Sequence, residues 1–206
     1  MADKVDFKNS MNALYAPPVG RFVEVEVPPL SYLMIDGSGD PNTAASYRSA
    51  LEWLYSVSYP LKFMSRKELD RDYAVMPLEG LWWADDMSTF LSRKKDEWSW
   101  TMMILQPDWI TQAMIDAAIA KARGKLGEPP GSLRLERLEE GLCVQTMHVG
   151  SYDDEGPVLA KLHDEYLPQH GLKETGRHHE IYLGDPRKTA PEKLRTILRQ
   201  PVQRRR

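Results

Sequence analysis

One carboxylate set inside an apolar run is where this sequence could do chemistry. His178-His179-Glu180-Ile181-Tyr182-Leu183 carries β-branched and aromatic residues with no turn former before Gly184, which favours an extended, packed conformation. Side chains alternate along a strand, so Glu180 and Tyr182 share one face while His179, Ile181 and Leu183 share the other. If the second face meets the helices, the first lines a cavity. A glutamate enclosed in that way has its pKa raised toward the range of a general base, and while ionised it can pair with a cation. The alternative is a solvated edge position with no role, because glutamate is rarely buried unpaired.

A second acid, Glu79, interrupts the apolar run Tyr73-Ala74-Val75-Met76-Pro77-Leu78-Glu79-Gly80-Leu81-Trp82-Trp83. Aromatic walls around such acids would suit flat ligands and cations, since ring faces offer contact area and attract positive charge. The candidates are Tyr55, Trp82, Trp83, Trp98, Trp100, Trp109, Tyr152 and Tyr182, with His148 as a further contact. Adjacent Trp82 and Trp83 point to opposite sides of a regular strand, so these rings cannot all face one cavity. No metal is expected: His148, His163, His170, His178 and His179 form no helical His-x-x-x-His face, and the adjacent pair points apart. The sequence has no Gly-x-Ser-x-Gly elbow, phosphate-cradling loop or dinucleotide fingerprint, and no cofactor is expected.

Residues 1–20 read as an arm ending in Ala16-Pro17-Pro18-Val19-Gly20. Arg21 to Val27 alternates as a strand, Pro28-Pro29 kinks it, and Leu30 to Ile35 continues it to a turn at Asp36-Gly37-Ser38-Gly39. The spacing of Tyr47, Ala50, Leu51, Leu54, Tyr55 and Ser58 predicts a helix capped by Asn42 or Thr43 and ending near Pro60. Strands are expected at Tyr73–Trp83 and Trp98–Leu105, joined by a solvated, charged hairpin loop over 84–97. A helix over Trp109–Leu126 is closed by Gly127 and Pro129-Pro130. Strand from Leu133 to Val149, bent near Gly141, leads through Gly150-Ser151-Tyr152-Asp153-Asp154 to a helix over Glu155–His170 and then to the Glu180 strand. Leu194, Ile197 and Leu198 suggest a short C-terminal helix and extension within 186–202, and 203–206 is a frayed basic tail.

A length of 206 residues suffices for one compact unit. With 27 basic and 30 acidic residues the chain has no general electrostatic reason to bind nucleic acid or an anionic membrane. No run approaches the roughly 20 apolar residues that span a bilayer. Met1-Ala2-Asp3-Lys4-Val5-Asp6-Phe7 lacks the apolar core of a signal peptide, so a cytoplasmic protein, monomeric or weakly dimeric, is expected. Cys143, the lone cysteine, lies in an apolar run and reads as core.

The two halves repeat one order of events: apolar strand, glycine-containing turn, helix, strand with a glutamate in it. Repeat one is about 21–106 and repeat two about 107–185, which predicts a pseudo-twofold arrangement with Glu79 and Glu180 sent toward one cleft from equivalent strands. Met147-His148-Val149-Gly150-Ser151-Tyr152-Asp153-Asp154-Glu155, His179-Glu180-Ile181-Tyr182-Leu183, Asp185-Pro186-Arg187-Lys188 and Pro77-Leu78-Glu79-Gly80-Leu81-Trp82-Trp83 together resemble GyrI-like small-molecule-binding domains. Such domains also form the effector-binding half of MerR-type multidrug regulators. The resemblance implies an α+β fold in which duplication of a β-α-β-β unit forms a concave antiparallel sheet, with helices on the other face and a pocket at the pseudo-dyad. It also implies that Glu180 lies at the pocket floor and recognises a hydrophobic aromatic or cationic small molecule. Some stand-alone members similar to this chain are hydrolases that open the cyclopropane of spirocyclopropyl DNA-alkylating antibiotics. In that chemistry Glu180, or secondly Glu79, would activate water, and Tyr55 or Tyr182 would stabilise charge on the conjugated carbonyl. The other reading is a non-catalytic drug-binding or sequestering protein, while a regulator is disfavoured because no helix-turn-helix pattern is present.

Overall fold

The computed structural model describes residues 4–85 and 94–205. The arm forms two single turns, α1 (Phe7–Ser10) and α2 (Asn12–Tyr15), the first capped by Asp6 accepting from the Asn9 backbone N–H. Then follow β1 (Val23–Val27), β2 (Leu30–Ser38), α3 (Ala45–Leu69), β3 (Leu78–Trp83) and β4 (Ser99–Leu105). The second half supplies α4 (Gln112–Leu126), β5 (Arg134–Leu138), β6 (Gly141–Val149) and α5 (Gly156–Ala160). A π-helical stretch, Lys161–Tyr166, carries α5 into α6 (Leu167–Gln169), before β7 (Leu172–Glu174), β8 (His178–Tyr182) and β9 (Arg195–Arg204). The loop expected over 84–97 falls largely outside the described residues.

Ala44, with no side-chain cap bond, precedes α3 in place of an Asn42 or Thr43 cap, β3 begins at Leu78 and not Tyr73, and α4 begins at Gln112 and not Trp109; two elements depart further. α3 does not end near Pro60: it runs to Leu69, where Asp70 takes a left-handed conformation (φ 50°). Proline removes one backbone donor, but Trp53, Leu54, Val57, Leu61 and Ser65 continue one buried stripe past it, and that packing outweighs the lost bond. The C-terminal helix expected within 186–202 is a strand, preceded only by a 3-10 turn at Pro191–Lys193. Thr196 to Val202 is buried throughout because β9 is covered on both faces, and such a strand has no reason to alternate. The tail is not frayed as far as it is described: Gln203 and Arg204 pair with Lys173 and Leu172, and Arg204 bonds Glu24.

The strands line up antiparallel in the order β1-β6-β9-β8-β3-β4-β2-β5, with β7 on β9. Reading outward from the β8–β3 seam, β3, β4 and β2 on one side are matched by β8, β9 and β6 on the other, so two like units meet at the centre of the sheet, the second reaching past the expected end at 185 to take in β9. α3 packs on β2 and β4, while Leu162 and Leu167 of the second helical stretch pack with Val144 of β6. Trp100 of β4 lies flat over Gly37, where an added Cβ would stand 2.1 Å from the indole, so only glycine admits the ring.

The face of the sheet turned away from these helices is covered by the arm. Tyr15 donates to Glu79 (2.8 Å), the Gln145 amide donates to the Ala13 carbonyl (2.7 Å), and the Arg199 guanidinium donates to the Leu14 carbonyl (2.8 Å). Beneath the arm lies a buried ionic chain. His179 bridges Glu79 (2.9 Å) and Glu140 (3.0 Å), and Arg199 reaches Glu140 (3.4 Å) and Gln145 (3.0 Å). Burial works against the charge of His179, but Glu140 and then Glu79 overcome it and raise its pKa to about 9. Burial likewise opposes the Glu140 carboxylate, yet His179 and Arg199 hold it below its ordinary range. Removing one member strands the others without water. Arg199→Met is therefore expected to lose about 3–5 kcal/mol in urea unfolding, whereas a variant as stable as the parent would show that the chain of charges does not hold the arm.

Candidate functional site

Pairing of β3 with β8 decides which acid faces which side. Gly80 stands opposite Glu180 and Glu79 opposite Ile181, one residue out of step. A shift of one residue along a strand exchanges faces. Glu180, with Tyr182, Trp82 and His178, therefore faces the helices, and Glu79, with His179 and Ile181, faces the arm. This reverses two expectations: the helices share the Glu180 side rather than the other, and Glu79 does not join Glu180 across a cleft. Fully buried and bound by Tyr15 and His179, Glu79 has no route to a ligand in the Glu180 cleft.

The Glu180 face of the central strands lies between α3 on one side and the turn before α5 on the other. Glu180 is 14 % exposed there, and its Oε2 accepts from the Tyr182 hydroxyl at 2.8 Å. The Tyr182 oxygen in turn accepts from the Trp82 indole N–H at 2.8 Å. A Cβ on Gly80 would come within 2.9 Å of that indole nitrogen, so the glycine opposite Glu180 keeps the relay in place. Oε1 of Glu180 lies 3.5 Å from His178 Nε2. Tyr47 of α3 faces Trp82 (6.3 Å between rings) and meets Trp100 edge-on (5.2 Å). Tyr152 meets Tyr182 edge-on at 5.6 Å and is itself 39 % exposed, which puts it at the mouth. Burial, and then the Glu180 charge, raises the Tyr47 pKa. Burial, with Glu155 and Glu180, raises that of Tyr152 to about 12, so both hydroxyls stay protonated donors.

A model of the family described as GyrI-like small molecule binding domain matches residues 22–203. The chain belongs to the GyrI-like family. The GyrI-like chain aligns with an uncharacterized conserved protein from Listeria innocua at 39% identity and a TM-score of 0.88, covering 97% of this chain and 100% of that one. A Listeria innocua protein described as a hydrolase aligns at 39% identity and a TM-score of 0.83, again covering 97% of this chain and 100% of that one. The EcmrR C-terminal domain, at 12% identity and a TM-score of 0.56 over 89% of this chain and 98% of that one, shares the fold. No curated protein matches the chain.

Of the expected ring walls in the GyrI-like chain, Trp82, Tyr182 and Tyr152 gather at Glu180, and Trp98 packs edge-on behind Trp82 at 5.9 Å. Trp100 is fully buried core beneath Tyr47. Trp83 lies on the arm side, stacked under Arg177 at 3.4 Å. Trp109 is far from the cleft, donating to Ser65 (2.9 Å) among Phe7, Tyr73 and Arg71. His148 is buried on the cleft side of β6 and bonds the Ser151 carbonyl at 3.0 Å, so it holds the turn that carries Tyr152. Tyr55 points to a separate open groove of about 380 Å³ between α3 and α4, beside Tyr59, Lys121 and Lys125. Its pKa is raised by burial, then by Tyr59 and Asp185, with Arg187 opposing, and its charge bears in turn on Tyr47. That groove is lined by no acid. Among the described residues no group of three or more His, Cys, Asp or Glu could hold a metal, and no helix is long and apolar enough to cross a membrane.

Two further residues lie here whose spacing gives no sign of it: Tyr47 belongs by period to the core stripe of its helix, and Glu155 stands at the start of a helix. Tyr182→Phe removes both the donor to Glu180 and the acceptor for Trp82, and is expected to cost about 1–3 kcal/mol in urea unfolding. Unchanged stability would mean that the Trp82–Tyr182–Glu180 relay does not form in solution.

Proposed function

We propose that this protein binds flat, aromatic, electrophilic or cationic small molecules in the Glu180 cleft and hydrolyses an electrophilic one with Glu180 activating water. The supporting observation is a carboxylate, 14 % exposed among aromatic rings, held at one oxygen by Tyr182 and facing His178 at 3.5 Å with the other. The Oε1 atom is the one that could accept a water proton as the water attacks carbon. Tyr47 and Tyr152, whose pKa values are raised, are hydroxyls that could donate to a carbonyl gaining negative charge, beside the Tyr55 and Tyr182 expected from sequence. The Listeria innocua relative described as a hydrolase supports bond cleavage over simple uptake. Strained-ring substrates, the spirocyclopropyl DNA-alkylating compounds, are the first class to test, and their hydrolysis would serve self-resistance or detoxification.

Incubation with such a compound and detection of the ring-opened, water-added product by mass spectrometry tests the reading. Product is expected to form with turnover, and Glu180→Gln to slow it roughly 100- to 10,000-fold, the usual contribution of a positioned base. Depletion of free ligand without product would leave a sequestering protein. Undiminished turnover in Glu180→Gln would remove Glu180 as the base.

A further inference from the structure

Glu180 is not the only acid at the cleft. Glu155, immediately before α5, is 5 % exposed, and its Oε1 has no hydrogen-bond partner. Among the described residues neither carboxyl is paired with a lysine or arginine; the one basic group against Glu180 is His178. Other polar atoms facing the same space are also unsatisfied: Thr196 Oγ1 on β9, beside Tyr182 in the register, and both ring nitrogens of His178. Buried polar atoms are seldom left unpaired, so Glu155 Oε1 and these three neighbouring atoms leave hydrogen-bonding capacity unmet beside the two carboxyls.

Two carboxyls in one desolvated space cannot both be ionised without a compensating cation. The hydrogen bonds decide which one keeps the proton. Glu180 accepts the Tyr182 hydroxyl, while Glu155 Oε1 accepts no hydrogen bond among the described residues. Burial, followed by the charge of Glu180, pushes the Glu155 carboxyl up to about 10; the nearby Thr196 hydroxyl, short of hydrogen-bonding geometry, opposes this only in part, and Asp153 adds to it. Other titratable groups around the two acids are Tyr152 and Asp154 on the same turn, the latter bonded by Ser151, Lys95 against Asp153 at 3.7 Å, Asp185 beyond β8, Tyr47 on α3, Tyr182 and His178 on β8, and His148 on β6, whose Nε2 is engaged by the Ser151 carbonyl. The three tyrosines are neutral at physiological pH, their pKa values being raised.

We propose that Glu155 is a second acid of the cleft which gives up its proton when an aromatic cation binds beside Glu180, so that uptake exchanges a cation for a proton. This rests on the binding half of the function proposed above and is independent of whether any bond is then broken. An empty cleft holds one negative charge and one neutral acid. The arriving cation supplies the compensation that Glu155 lacks, its proton passes to the solvent, and the occupied cleft carries two carboxylates around one cation. The sign follows from linkage: a group that binds its proton less tightly in the complex makes ligand affinity rise with pH, between its bound and its free pKa. A neutral ligand of the same shape brings no charge and releases nothing.

N-methylacridinium, flat and permanently charged, is a suitable probe, with neutral acridine as its uncharged counterpart above pH 7. Binding is followed by fluorescence from pH 7 to 9, and proton release by calorimetry in buffers of different ionisation enthalpy. For the unmodified protein, N-methylacridinium affinity is expected to rise by up to about tenfold per pH unit, with up to about one proton released. Acridine should show neither effect. Glu155→Gln, which mimics the protonated side chain and so preserves the packing, should bind N-methylacridinium with no pH dependence, while His178→Gln should retain the slope. Binding without proton release overturns the exchange and leaves the Glu180 cleft as a binding site. A slope that survives in Glu155→Gln overturns the assignment to Glu155, and failure of the cation to bind at all overturns this proposal and the binding half of the proposed function together.

Discussion

The molecule depends on the register of one strand pair. β3 and β8 join the two repeats at the centre of the sheet, and their alignment sets Gly80 against Glu180 and Glu79 against Ile181. Because side chains alternate, this single offset sends one glutamate to the helical side and the other to the arm side. Each face then solves the problem of a buried acid differently. On the arm side, Glu79 is neutralised by His179 and lies in a chain with Glu140 and Arg199. On the helical side, Glu180 is held by Tyr182 and, among the described residues, is paired with no lysine or arginine. The first arrangement suits holding a fold together; the second leaves an acid able to meet a ligand.

The two sides are physically continuous. His179 and Glu180 are adjacent in β8, so whatever fixes β8 against the arm also fixes the height of the cleft floor. Gly80 keeps the Trp82 indole at the Tyr182 oxygen, and Tyr182 orients one oxygen of Glu180. A site built on central strands with a relay behind it is more precisely placed than one built on loops. The walls, by contrast, come from α3 and the turn carrying Tyr152, elements that lie outside the sheet.

Much of this was legible in the residues, and what was not has identifiable causes. The strand nature of His178–Tyr182, the shared face of Glu180 and Tyr182, and the duplicated order of elements follow from composition and period. The position of Glu79 did not, because two acids at similar places in two repeats face the same way only if the pairing register is even, and register is a property of the sheet. β9 was mistaken for a helix because a strand buried on both faces loses alternation, and Leu194, Ile197 and Leu198 imitate helical spacing by chance. Trp100 and Trp109 could not be told from cleft rings, since a tryptophan over Gly37 and one against Ser65 look alike in composition. Glu155 was hidden beside Asp153 and Asp154, where an acidic turn before a helix is ordinary.

The central claim is that the cleft over the β3–β8 seam, with Glu180 at its floor, is where a ligand goes. A crystal structure of the protein with a bound aromatic cation tests it most directly. The account expects the ring system between Tyr47 and Tyr152 with its positive nitrogen within about 4–6 Å of the Glu180 carboxylate. A cation seated instead in the groove between α3 and α4 beside Tyr55, or under the arm against Glu79, would contradict it.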